Sequence, residues 1–186
     1  MEYPVLPGPA GDHISKLARQ QAARAGTRRP SARRQRALQK STGGYRPCRL
    51  SWSFDLTYDR DGIRSGLGDL TVWAGLEGRR CSRCSVILDR QGRPVSLGAV
   101  LAGPLKERPV LDCILSQAEP MASDGCSLYT DWRERCRTGF SPSRCYLTEE
   151  GAAFWYPWQY LGPACAGIPT FLVPWKLLGD LRRGRP

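Results

Sequence analysis

Ser51-Trp52-Ser53-Phe54-Asp55-Leu56-Thr57-Tyr58 alternates hydroxyl or carboxylate side chains with large apolar ones, and this alternation decides the fold class. Successive side chains of a strand point to opposite faces. A period of two therefore gathers Trp52, Phe54, Leu56 and Tyr58 on one face and leaves the other wet. Aromatic side chains favour such a half-buried pleated surface. Asp61-Gly62 follows as a turn signal, and Leu70-Thr71-Val72-Trp73 reads as the returning strand. A second hairpin is expected from Ser85-Val86-Ile87-Leu88, through Arg90-Gln91-Gly92-Arg93, to the run from Pro94 to Leu101. Gly62, Gly66 and Gly68 read as turn glycines, without the strand, helix and lysine that a phosphate loop requires.

Further along the chain the period lengthens. Val110, Leu111, Ile114 and Leu115 share a short helical face, and Leu128, Tyr129, Trp132 and Cys136 share another, which Gly139 would stop. The sequence predicts a β-rich α+β single domain over residues 48–178. A disordered basic arm (1–47) precedes it and a basic tail (179–186) follows. Within the arm, Ile14, Leu17, Ala18, Ala22 and Ala25 line up as one face of a helix over 13–25, with Gly26 as its end.

Charge is distributed as unevenly as hydrophobicity. Of a formal net charge of +11, residues 1–50 carry eleven Lys and Arg against Glu2 and Asp12 alone. Arg28, Arg29, Arg33, Arg34, Arg36 and Lys40 are the expected nucleic-acid contacts, because clustered cations neutralise phosphates and release their counterions. Arg28, Arg29, Arg33, Arg34 and Arg36 also have the pattern of a nuclear address, and an acidic protein surface would suit the arm equally. Ser31, two residues after an arginine pair, is an expected phosphorylation site. A phosphate there would cancel part of the arm's charge. The chain has no asparagine, and 24 arginines stand beside four lysines, a bias that GC-rich coding or a viral or overlapping reading frame would produce.

Met1 to Gly11 contains no basic, then apolar leader, so the eight cysteines are expected in a reducing compartment. Cys81-Ser82-Arg83-Cys84 has the spacing of a zinc knuckle, and zinc is the cofactor it suggests. Two more ligands would have to come from Cys113, Cys126, Cys136 or Cys145. The one histidine, His13, lies in the arm, so the body offers no Ser-His or Cys-His pair for nucleophilic catalysis. Asp55, Asp59, Asp61 and Asp69 are the carboxylates a magnesium-dependent enzyme would use, but acids beside Asp-Gly turns more often form the turn. The sequence reads as non-enzymatic.

Residues 151–175 hold no charge and seven large aromatics, and the length suits a membrane span. Pro157, Pro163, Pro169 and Pro174 interrupt it, each costing a helix interior about 3 kcal/mol. Packing against protein is expected instead, with Trp155, Trp158 and Trp175 as contacts for a protein partner. Taken together, these features predict a nuclear accessory or regulatory protein that binds nucleic acid or an acidic partner. A membrane-associated protein held by residues 151–175, and a poorly structured product of a chance reading frame, are the alternatives.

Overall fold

The computed structural model describes residues 9–27, 48–74, 79–123 and 128–181. It is a mixed α+β domain, in which two three-stranded antiparallel sheets carry the helices. The expected helix within the arm is present as α1 (Pro9–Thr27), with Ile14 buried.

The alternating stretch lies in β1 (Cys48–Arg60), which pairs with β2 (Ile63–Ala74). Asp61 and Gly62 form the two-residue loop between them at φ 55° and 75°. Both angles are left-handed, as the hairpin turn that matches strand twist demands. β2 pairs in turn with β3 (Arg79–Leu88), completing the order β1-β2-β3. As far as the bulge between Leu56 and Tyr58, the even-numbered side chains of this meander form one face. Leu17 of α1 packs there with Phe54, Val86 and Leu88. Beyond the bulge Tyr58 pairs with Ser65 and turns to the opposite face, so it does not join Trp52, Phe54 and Leu56 as the plain alternation suggests.

Gly66 and Gly68 are not turn residues. They sit mid-strand in β2, beneath the rings of Phe54 and Trp52, which themselves stack at 6.0 Å. A methyl group on Gly66 would stand 2.5 Å from both the Phe54 ring and the Asp55 carbonyl oxygen. These glycines let an aromatic side chain of the neighbouring strand lie flat on the sheet.

The second hairpin does not form. After β3 the chain makes one bridge, Leu88 to Pro94, and then turns into the short helix α2 (Leu97–Val100), capped by the Ser96 hydroxyl. The Asp89 carboxylate accepts the backbone N–H groups of Gln91 and Arg93, both at 2.9 Å, which closes the loop before a second strand can start. α3 (Glu107–Ser123) extends the first apolar run at both ends. Val110, Ile114 and Ala118 are its buried row. α4 (Trp132–Thr138) stops at Gly139, whose N–H bonds back to the Arg135 and Arg137 carbonyls.

The uncharged segment builds the second sheet, β4 (Cys145–Leu147), β5 (Gly151–Trp155) and β6 (Thr170–Pro174), in that order. A short helix, α5 (Trp175–Leu178), follows it. Phe154, Tyr156, Leu161, Phe171 and Val173 are buried with the inner row of α3 in the main core. The prolines fall at strand ends and in the connecting loop, where no helical hydrogen bond is lost. No helix among the described residues is long and apolar enough to cross a membrane.

Candidate functional site

The two sheets meet where β4 crosses the end of the first meander. Ser65, 1% exposed, donates its hydroxyl to the Val86 carbonyl at 2.9 Å and accepts the Leu147 N–H at 2.9 Å. Thr57, beside the bulge in β1, donates to the Leu147 carbonyl at 2.7 Å. Two side chains thus satisfy both backbone groups of one residue.

A polar cluster continues along the same odd-numbered face. Arg83 forks onto both carboxylate oxygens of Asp69 at 2.7 Å and reaches the Thr170 hydroxyl at 2.8 Å. Burial works against the Arg83 charge, but the Asp69 bonds outweigh it and hold the guanidinium more firmly protonated than usual. Trp155 donates its indole N–H to the Ser85 hydroxyl at 3.0 Å. Burial raises the Tyr146 phenol beside this cluster.

Ser85 also lines a 530 Å³ open groove. One wall is the end of β3 (Ser85, Val86 and Ile87), the second is the segment from Pro94 to Gly98, and the third is Ser141 to Cys145. Leu105 and Glu107 close one side. Hydroxyls of Ser85, Ser96, Ser141 and Ser143 share the lining with Val86, Ile87, Pro94, Val95 and Leu97. Within it, Ser141 and Ser143 bond to each other at 2.8 Å. Cys145 gives its thiol to the Pro142 carbonyl, and burial pushes its pKa to about 12, far from a reactive thiolate.

The groove adjoins a strand edge. β3 is the outer strand of its sheet, and the Val95 N–H reaches the Ile87 carbonyl on that outer side at 2.9 Å. Backbone groups of a strand point to alternate sides, so those of Ser85, Arg83 and Cys81 face outward too. Among the described residues no backbone group pairs with them.

Several sequence expectations are corrected by this arrangement. Cys81 and Cys84 do not precede a hairpin; they lie inside β3, where a separation of three puts them on opposite faces. Cys84 sits over Gly68 on the α1 side, while Cys81 contacts Thr71 on the other. No group of three or more His, Cys, Asp or Glu among the described residues is arranged to hold a metal ion. The four aspartates are similarly dispersed, with Asp69 engaged by Arg83 and Asp59 by Arg64.

The three tryptophans read as partner contacts are bonded within the body. Trp155 donates to Ser85, Trp158 to the Ala164 carbonyl at 3.4 Å, and Trp175 to the Glu149 carbonyl at 3.0 Å. Arg28, Arg29, Ser31, Arg33, Arg34, Arg36 and Lys40 lie outside the described residues. Sequence reasoning missed the groove, whose walls come from three separated segments. The one local signal was the unusual density of serine and proline at 94–96 and 141–143.

No protein-family model matches the chain, and no curated protein does. Solved structures do share its fold. A member of the DUF3298 family from Bacteroides fragilis superposes with a TM-score of 0.53 at 16% identity, covering 77% of this chain and 60% of its own. A DUF3298 family protein from Pseudomonas aeruginosa gives 0.53 and 16%, covering 71% of this chain and 61% of its own. This chain therefore spans about three fifths of either structure's length. At such identity the likeness speaks to the fold, and neither protein's name carries an activity.

The same likeness overturns the functional reading drawn from the arm. Both neighbours are bacterial proteins, and a bacterial cell has no nucleus, which removes the ground for a nuclear address at Arg28, Arg29, Arg33, Arg34 and Arg36. The nuclear and viral nucleic-acid-binding factor is withdrawn. The membrane-anchored and chance-frame alternatives go with it, because residues 151–175 form β5, β6 and their loop in a packed core.

Proposed function

We propose that the body is a non-catalytic binding module that captures an extended peptide segment of a protein partner along the outer edge of β3. One observation carries this reading: the unpaired edge of β3 opens at Ser85 directly into the 530 Å³ groove. A strand added there would draw affinity from main-chain hydrogen bonds and selectivity from side chains seated in the groove. Arg79 on β3 disfavours a basic peptide, and the serine hydroxyls and apolar wall suit short polar or small apolar side chains. Against catalysis stand the raised Cys145 thiol, the mutual pairing of Ser141 and Ser143, and the location of His13 on α1, across the first sheet from Ser85.

Gly98 provides the test. It lines the groove, and nothing lies within 4 Å of where its Cβ would stand, so Gly98→Phe should fill the groove without strain. Peptides selected from a random heptapeptide display library on the full chain should lose binding to Gly98→Phe by about tenfold or more. They should also slow hydrogen exchange at the Ser85 amide. Peptides that bind both proteins equally and leave Ser85 unprotected would refute the reading.

A further inference from the structure

β1 is the other outer strand of the first sheet, and its edge differs from those of β3 and β6. The free edge of β6 is covered by Gln117, whose amide bonds to both the N–H and the C=O of Leu172. The β3 edge carries Arg79, a charge that deters pairing between copies. From Leu50 to Phe54, β1 carries neither charge nor proline, and among the described residues no backbone group pairs with its outer side. Leu56, further along β1, is 47% exposed.

Which groups face that edge follows from the ladder. The outward Ile87 carbonyl means that Val86 faces inward to Gly66, which leaves Leu67 facing Asp55. Asp55, Ser53 and Ser51 therefore bond to β2. Leu50, Trp52 and Phe54 present their N–H and C=O groups outward.

The stretch Arg49-Leu50-Ser51-Trp52-Ser53-Phe54-Asp55 is also self-complementary about its centre. Laid antiparallel on a second copy with Trp52 opposite Trp52, it sets Ser51 opposite Ser53 and Leu50 opposite Phe54. Arg49 then stands opposite Asp55, twice. The outward-facing residues Leu50, Trp52 and Phe54 are the ones that would exchange hydrogen bonds in this register. Opposite charges directly across a pair of strands stabilise it, and like charges destabilise it. β4 stands clear of the pairing centre. β4 crosses at Thr57, five residues or about 17 Å from the centre, and the two-fold axis sends the second body the same distance in the opposite direction.

From this we infer that β1 is the homodimerisation strand, joining two copies into one continuous six-stranded sheet through antiparallel pairing centred on Trp52. A slipped register would lose both Arg49–Asp55 pairs, so charge fixes the alignment that a neutral edge would leave loose.

Sedimentation equilibrium of the full chain should give a dimer in the micromolar range. Arg49→Asp and Asp55→Arg, each alone, place like charges opposite each other at both ends of the pairing. Each should raise the dimer Kd about tenfold or more. The double swap, Arg49→Asp with Asp55→Arg, should recover it. Hydrogen exchange of the unmodified chain provides a second reading that needs no variant, because the amides of Leu50, Trp52 and Phe54 should be protected more strongly as concentration rises. A monomer throughout the range would overturn the inference. So would a dimer indifferent to both single reversals, or exchange at these three amides that is independent of concentration.

Discussion

Cys145 and Cys136 are thiols that the fold keeps neutral. Burial pushes them to about 12 and about 11, and neither meets a cation strong enough to reverse this. In the unfolded chain both ionise near pH 8.5. Their folded values lie higher, so the stability they contribute is complete below the unfolded pKa. It is lost as pH rises from about 9 towards 11 and 12. Each thiol then removes about 1.4 kcal/mol per pH unit. Chemical denaturation at pH 7.5, 9 and 10.5 should show a decline above pH 9, and Cys145→Ala should make that decline shallower. A stability independent of pH up to 10.5 would show that these thiols are solvated. Cys165, exposed in the loop between β5 and β6, should react with a thiol reagent well before either of them.

Between β6 and α3 the energetics depend on a side chain posing as a strand. Gln117 receives the Leu172 N–H at 3.2 Å and donates to its carbonyl at 2.8 Å, completing an edge that no neighbouring strand covers. Gln117→Leu keeps the helix and the size of the side chain but leaves the half-buried Leu172 N–H unpaired and its carbonyl with only the weak Cys113 thiol at 3.9 Å. The expected loss is about 1–3 kcal/mol, the cost of one unsatisfied N–H. Thermal unfolding of the variant checks this, and a loss below about 0.5 kcal/mol would mean that water replaces the amide freely. None of this was legible in the sequence, where Gln117 is one polar residue on a helix. What could be read were features set within a few residues: the alternation of β1 as far as Leu56, the Asp61-Gly62 turn, Val110 and Ile114 of the inner row of α3, and the stop at Gly139. Features set by distant partners were misread. Gly66 and Gly68 looked like turn formers because the rings that cover them belong to another strand. The Cys81–Cys84 pair looked like a metal clip because Arg79 to Ser85, rich in arginine and serine, has no apolar period to mark it as a strand. The groove was invisible for the same reason, since Ser85, Gly98 and Ser143 converge only after the chain has folded.

Across the whole molecule, the first meander shares little apolar surface with the second sheet. Tyr58, Ile63 and Ile87 reach the main core, whereas Phe54, Val86 and Leu88 pack with Leu17 of α1. Polar bonds therefore carry much of the coupling between the sheets. Ser65 and Thr57 hold Leu147, and Arg83, itself fixed by Asp69, holds Thr170. Ser65 is the most enclosed of these, so its replacement best isolates the joint. Ser65→Ala removes the hydroxyl and strands the buried Leu147 N–H, at a cost of about 1–3 kcal/mol. Thr57→Val, in a half-buried setting open to water, should cost less. If the joint is what makes two sheets one folding unit, the effect will exceed a uniform drop in stability. In the parent chain, tryptophan emission and far-ultraviolet circular dichroism should follow one transition. In the Ser65→Ala, Thr57→Val double variant the two signals should separate, with the meander that carries Trp52 and Trp73 melting ahead of the second sheet and α3. Coincident transitions in the double variant would mean instead that Tyr58, Ile63 and Ile87 suffice to couple the halves.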